Sequence, residues 1–162
     1  GGVLQVDGEV HHEPAPRPCV VATAIPKGDR LEWMVQKLVE IGVAEVVLVQ
    51  FSRSVVHWDA NKAAKELARL ERIAREAAMQ SRRTWLPVVR GPVPFEDVTR
   101  IPGIALADPA GSVVESAQSV IIGPEGGFTP EELAVPLPRW QLGDTILRVE
   151  TAALIAAGRI LI

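Results

Sequence analysis

The sequence has a single cysteine among its 162 residues, so no disulfide can form within the chain, and Cys19 fits a reducing compartment. No apolar run is long enough to cross a bilayer, and no signal-peptide pattern opens the chain. Together these absences lead us to expect a cytoplasmic protein without a membrane partner. Positive charge is not in excess either: the net charge is −3, so any contact with nucleic acid must come from a local basic patch. Walker lysine, G-x-G-x-x-G and G-x-S-x-G patterns are all missing, which removes support for P-loop, Rossmann and serine-hydrolase readings. No histidine stands near Cys19 in sequence, and adjacent His11 and His12 would point to opposite sides of a strand. Nucleophilic and metal chemistry are therefore unsupported, and we expect no metal.

What is present suits one domain with a core of its own, with 48% hydrophobic and 23% charged residues. Residues 1–10 read as the tail of a β-hairpin with Asp7-Gly8 as its turn, and Pro14, Pro16 and Pro18 mark an extended linker. Residues 19–25 read as a first buried strand, followed by a helix with Asp29 at its N-cap, Glu32 three residues on, and Gly42 as its stop. Residues 46–49 form a second apolar strand. Strand, helix and near-continuous apolar strand predict an α/β fold, a mostly parallel sheet with helices on both faces. A long helix is expected over about 59–82, with Leu67, Leu70, Ile73 and Ala77 on its core side. Residues 88–102 read as a connection with a short helical turn after Pro94. Residues 104–107 are a third strand ended by a turn at Asp108-Pro109-Ala110-Gly111, and Trp140-Gln141-Leu142 is a last short strand. The final helix, 152–162, has Arg159 as its only charge and is expected to be buried on several sides, a subunit interface among them.

The chain is organised around Val120-Ile121-Ile122-Gly123-Pro124-Glu125-Gly126-Gly127-Phe128-Thr129. Three apolar residues run into a glycine loop, and Thr129, Pro130 and Glu132 start a new helix as N-cap, first-turn proline and capping-box partner. Such a stretch can be a mere turn. In an open α/β sheet, however, ligands bind beyond strand ends, and glycines let them approach the main chain. From Lys62 to Arg83 there are seven Lys or Arg against three Glu, a local +4. Lys62, Lys65, Arg69 and Arg72 share one helical face. Two readings stand beside each other there, a solvated face with intrahelical ion pairs and a phosphate-contacting stripe.

Ile122-Gly-Pro-Glu-Gly-Gly-Phe128 and Leu142-Gly-Asp-Thr-Ile-Leu-Arg-Val-Glu-Thr-Ala152 resemble the ribosomal RNA small-subunit methyltransferase E family. Gln36-Lys-Leu-Val-Glu-Ile-Gly-Val43 and Glu76-Ala-Ala-Met-Gln-Ser-Arg82 resemble its other two signature stretches, in the same order. The resemblance implies a knotted SPOUT-class enzyme with a C-terminal deep trefoil knot. It would use S-adenosylmethionine, release S-adenosylhomocysteine and methylate N3 of a uridine in 16S rRNA in the small ribosomal subunit, acting as a homodimer. By the same resemblance, residues 1–18 would be the tail and linker of a PUA-like N-terminal domain, and 19–162 the methyltransferase domain. Cofactor contacts are expected at Leu106, Gly123, Glu125, Gly126, Gly127, Leu142, Gly143, Ile146 and Leu147, of which the leucines and the isoleucine could equally be core.

Uridine N3 carries a proton and sits between two carbonyls, so the reaction needs positioned reactants and a cation for the developing anion. Arg148 is expected in that role, with Arg53, Arg82 and Arg83 on the RNA. Glu125, Glu150 or water would take the proton, and Glu150 could instead serve the N-terminus of the last helix. A knotted enzyme acting on another RNA nucleotide, and a non-catalytic RNA-binding module of the same fold, are the alternatives.

Overall fold

The computed structural model describes every residue except Gly1, Leu4, Val6 and Glu115. The chain runs β1 (Val20–Ala24), α1 (Arg30–Ile41), β2 (Glu45–Gln50), α2 (Ala60–Gln80), β3 (Val88–Pro94) and α3 (Phe95–Val98). It continues through β4 (Ile104–Ser112), β5 (Ser119–Ile122), α4 (Pro130–Leu133), β6 (Arg139–Trp140) and α5 (Val149–Leu161). One six-stranded sheet results, in the order β3-β2-β1-β5-β4-β6, and every pairing is parallel. The chain steps outward from β1 to β3, then crosses the whole sheet to begin β4. Parallel strands point one way, so the C-terminal ends of β1, β2, β4, β5 and β6 share one edge.

The expected α/β class with a parallel sheet is what forms. Val21 and Ala22 are neighbours along β1 and so face opposite sides of the sheet, yet both are fully buried. Burial on both faces is why the central strands read as unbroken apolar runs. Helix α1 packs against both α2 and α5, and α5 also touches β1 and β5, while short α3 sits against β2 and β3. Gly42 closes α1 with φ of 110°, its amide bonding the carbonyls of Leu38 and Val39. Asp29 does stand at the α1 N-cap, but its side chain accepts no capping bond.

Three expectations need correction. Residues 88–94 are not a connection but the edge strand β3, and only the turn after Pro94 was foreseen, as α3. Proline survives there because an edge strand has amides that need no ladder partner. The turn expected at Asp108-Pro109-Ala110-Gly111 is a continuation of β4, which pairs irregularly with β6 as far as Ser112. The hairpin tail over 1–10 rests partly on Gly1, Leu4 and Val6, outside the described residues, and no strand forms among the described residues of 2–18.

Candidate active site

Three chain segments converge at the C-terminal edge of the sheet. A cavity of about 460 Å³ is lined by Ala107 and Asp108 within β4, where its pairing with β6 turns irregular, by residues 122–128 at the end of β5 and beyond it, and by Leu142, Gly143, Thr145, Ile146 and Leu147 after β6. That volume lies within the range of small-ligand sites. The three segments are brought together because the strands that carry them, β5, β4 and β6, lie side by side. Of the expected cofactor contacts, all but one line the cavity. Leu106 is fully buried inside β4, and its successors Ala107 and Asp108 face the space instead. Ile146, 82% exposed, is no core residue and hangs over the opening.

The glycine loop is held from several sides. Gly127 has φ of 71° and its amide bonds the carbonyl of Pro124, closing a turn that a residue with a side chain would strain. Gly123 leaves no room for a Cβ, which would stand 2.9 Å from the ring of Phe128. That ring is wedged between Phe51 and Phe95, with centroids 5.7 and 6.3 Å away. The capping box at α4 forms as expected: the Thr129 hydroxyl accepts from the Glu132 amide, and Glu132 accepts from the Thr129 amide at 2.8 Å. Buried Glu132 also accepts from the Ser52 amide, tying the end of β2 to this helix.

Arg53, expected on the RNA, is exposed. Its guanidinium donates to the carbonyls of Gly126 and Phe128, both at 3.1 Å, so it fastens the glycine loop. Arg148 is exposed at the N-cap of α5, just past the Leu142–Leu147 stretch; it does not itself line the cavity, although its neighbours Leu147 and Val149 do. Arg82 and Arg83 lie elsewhere. Arg83 donates to the carbonyls of Val39 and Val43 at the C-terminal end of α1, the opposite edge of the sheet from the cavity, and burial lowers its pKa. Arg82 is exposed beside it.

Two arginines form ion pairs beside the cavity that the sequence alone did not reveal. Arg30, at the start of α1, bonds the Glu125 carboxylate at 2.9 Å and stands 3.6 Å from Glu150. The bond to Glu125 is the main cause of a raised Arg30 pKa, with Glu150 adding to it. Glu150 is buried in the first turn of α5, and its Oε2 has no hydrogen-bond partner among the described residues. On the other flank, buried Asp108 receives Arg139 at 2.6 Å and the amide of Ala110 at 2.9 Å, clamping β4 to β6. Partners 95 and 31 positions apart leave no local signal in sequence, which is why neither arginine stood out. No cluster of His, Cys, Asp or Glu suited to a metal occurs among the described residues.

Residues 13–161 match the family described as RNA methyltransferase domain. The chain is 34% identical over 173 aligned positions to the ribosomal RNA small subunit methyltransferase E of Mycobacterium bovis, covering 91% of this chain and 64% of that protein. Among solved structures it is similar to a Legionella pneumophila protein crystallised with SAM, at 32% identity and TM-score 0.81, over 88% of this chain and 64% of the other. The same shares hold for the ribosomal RNA small subunit methyltransferase E of Neisseria gonorrhoeae bound to S-adenosyl methionine, at 29% identity and TM-score 0.78. The chain thus spans about two thirds or slightly less, 64%, of the length of these relatives.

Proposed function

We propose that this chain, which belongs to the RNA methyltransferase domain family, transfers a methyl group from S-adenosylmethionine to N3 of a uridine in 16S rRNA. The observation that carries the reading is the convergence of three chain segments, from β4 and from the loops after β5 and β6, on one cavity that is glycine-lined on one side and apolar on the other. The residues fit the cofactor. Its flat base suits the apolar wall of Ile122, Trp140, Leu142 and Leu147, and its polar tail suits exposed main chain at Gly126 and Gly127. Glu125 and Asp108 line the same space, each with its carboxylate paired to an arginine, Arg30 and Arg139 respectively. When bound, the cofactor supplies an electrophilic methyl group on a sulfonium.

The chain's own residues then do the rest. Arg30 fixes Glu125 in place while leaving its second oxygen available to the cavity. Arg148, at the N-cap of α5 between the cavity-lining Leu147 and Val149, is the cation we assign to a uracil oxygen as N3 loses its proton. An arginine stays protonated throughout, so proton removal falls to Glu125, Glu150 or water. Arg53 acts by holding the loop, and any RNA contact it makes is added to that.

We read the working form as a cytoplasmic homodimer built around a trefoil knot. Support for the dimer comes from α5, where Leu154, Ile155, Ile160 and Leu161 are only partly buried although the helix packs on α1, β1 and β5. Incubation with methyl-labelled S-adenosylmethionine and 16S rRNA tests the function. Label in N3-methyluridine, reduced at least about a hundredfold by Arg148→Ala, is the expected result. Label in ribose or in another base atom would contradict it.

A further inference from the structure

Helix α2 presents a row of cations that the cavity does not use. Lys62, Lys65, Arg69, Arg72 and Arg75 are all exposed, and at 1.5 Å per residue they extend over about 20 Å. Were this a solvated face laced by its own ion pairs, Lys62 would meet Glu66, Glu71 would meet Arg75 and Arg72 would meet Glu76, each four residues apart. None of these pairs forms within 4 Å among the described residues. Only Arg69 is paired, to Glu32 of α1 at 2.7 Å. Four cations are thus left facing solvent in a chain whose net charge is −3. The row begins where the chain leaves β2 and Arg53, beside the glycine loop. Beyond its end lie Met79, 72% exposed, and Trp85, 47% exposed, whose indole offers a face on which a base can stack.

We propose that this face of α2 is a track for RNA phosphates, leading the strand that carries the target nucleotide from the Trp85 end toward the cavity. The occupant is RNA because only a regularly charged polyanion matches cations spaced along one line, and the aromatic at its end suits unpaired bases. This proposal rests on the RNA methyltransferase reading. It moves the main RNA grip away from Arg83, whose guanidinium is committed to α1 carbonyls.

The test is the salt dependence of 16S rRNA binding to the full chain, compared with the Lys65→Ala/Arg72→Ala/Arg75→Ala variant. Alanine keeps helix propensity high, so α2 should persist. At a slope of about −0.7 per phosphate for single strands, losing three contacts should flatten the log–log salt slope by about 2 and weaken low-salt binding at least about tenfold. The charge-preserving Arg72→Lys/Arg75→Lys variant should keep the parent slope. Titration of S-adenosylmethionine runs in parallel and should not change in the variant. An unchanged RNA slope, no RNA binding by the parent chain at low salt, or charge-dependent binding to anionic vesicles in place of RNA would each overturn the track. Loss of cofactor binding in the parent chain would instead strike the function reading, leaving the slope comparison to decide the track by itself.

Discussion

Arg82 ends α2 with φ of 57°, a left-handed conformation that side chains disfavour. The geometry serves the helix end: the Arg82 amide bonds the Met79 carbonyl at 3.2 Å and the Arg83 amide bonds that of Ala78 at 2.8 Å. Glycine would adopt this conformation freely, so Arg82→Gly should raise unfolding free energy by roughly 0.5–1 kcal/mol in urea titration. A loss of stability would show that the Arg82 side chain holds something the backbone geometry does not. Cys19 makes a second residue-scale prediction. Burial pushes its thiol up to about 11, with nearby Arg17 opposing in part. The folded chain therefore keeps that proton to higher pH than the unfolded chain. The stability from burying the neutral thiol is whole below the ordinary value of 9.0 and is lost as pH climbs toward 11. The difference in unfolding free energy between the parent and Cys19→Ala should stay level up to about pH 8 and narrow beyond it. A constant difference to pH 11 would contradict the assignment.

At the scale of elements, Arg30 joins three pieces: the start of α1, the glycine loop and the first turn of α5. Glu125 is half-exposed and can turn to water, whereas Glu150 is buried. Arg30→Ala should therefore lower the melting temperature more than Glu125→Ala does, since it leaves Glu150 without its cation. Equal effects would mean that Arg30 serves only the loop. How far these elements could be read beforehand follows from where their information lies. The strands β1, β2 and β5 are near-continuous apolar runs, and the α4 cap is written in Thr129, Pro130 and Glu132; all were legible. Strand β3 was hidden by Gly91, Pro92 and Pro94, residues an edge position tolerates. The far half of β4 was hidden because Asp108-Pro109-Ala110-Gly111 spells a turn until Arg139 draws it against β6. The hold of Arg53 on the glycine loop was not legible, since its carbonyl partners lie 73 and 75 positions away.

At the scale of the molecule, the parallel sheet brings together loops that begin 15 or more positions apart in the chain, and the cavity exists only when all three are in place. Binding in that cavity should accordingly stabilise the whole fold. The measurement that tests the account most directly is a calorimetric titration of S-adenosylmethionine into the purified chain, with thermal unfolding on the same sample. We predict saturable binding at one site per chain. Cofactor at a hundred times its Kd should add about 2.7 kcal/mol of stability, and so raise the melting temperature by roughly 5–10 °C. A folded chain that shows neither heat of binding nor a shift at millimolar cofactor would contradict the assignment of the cavity and the methyltransferase reading built on it.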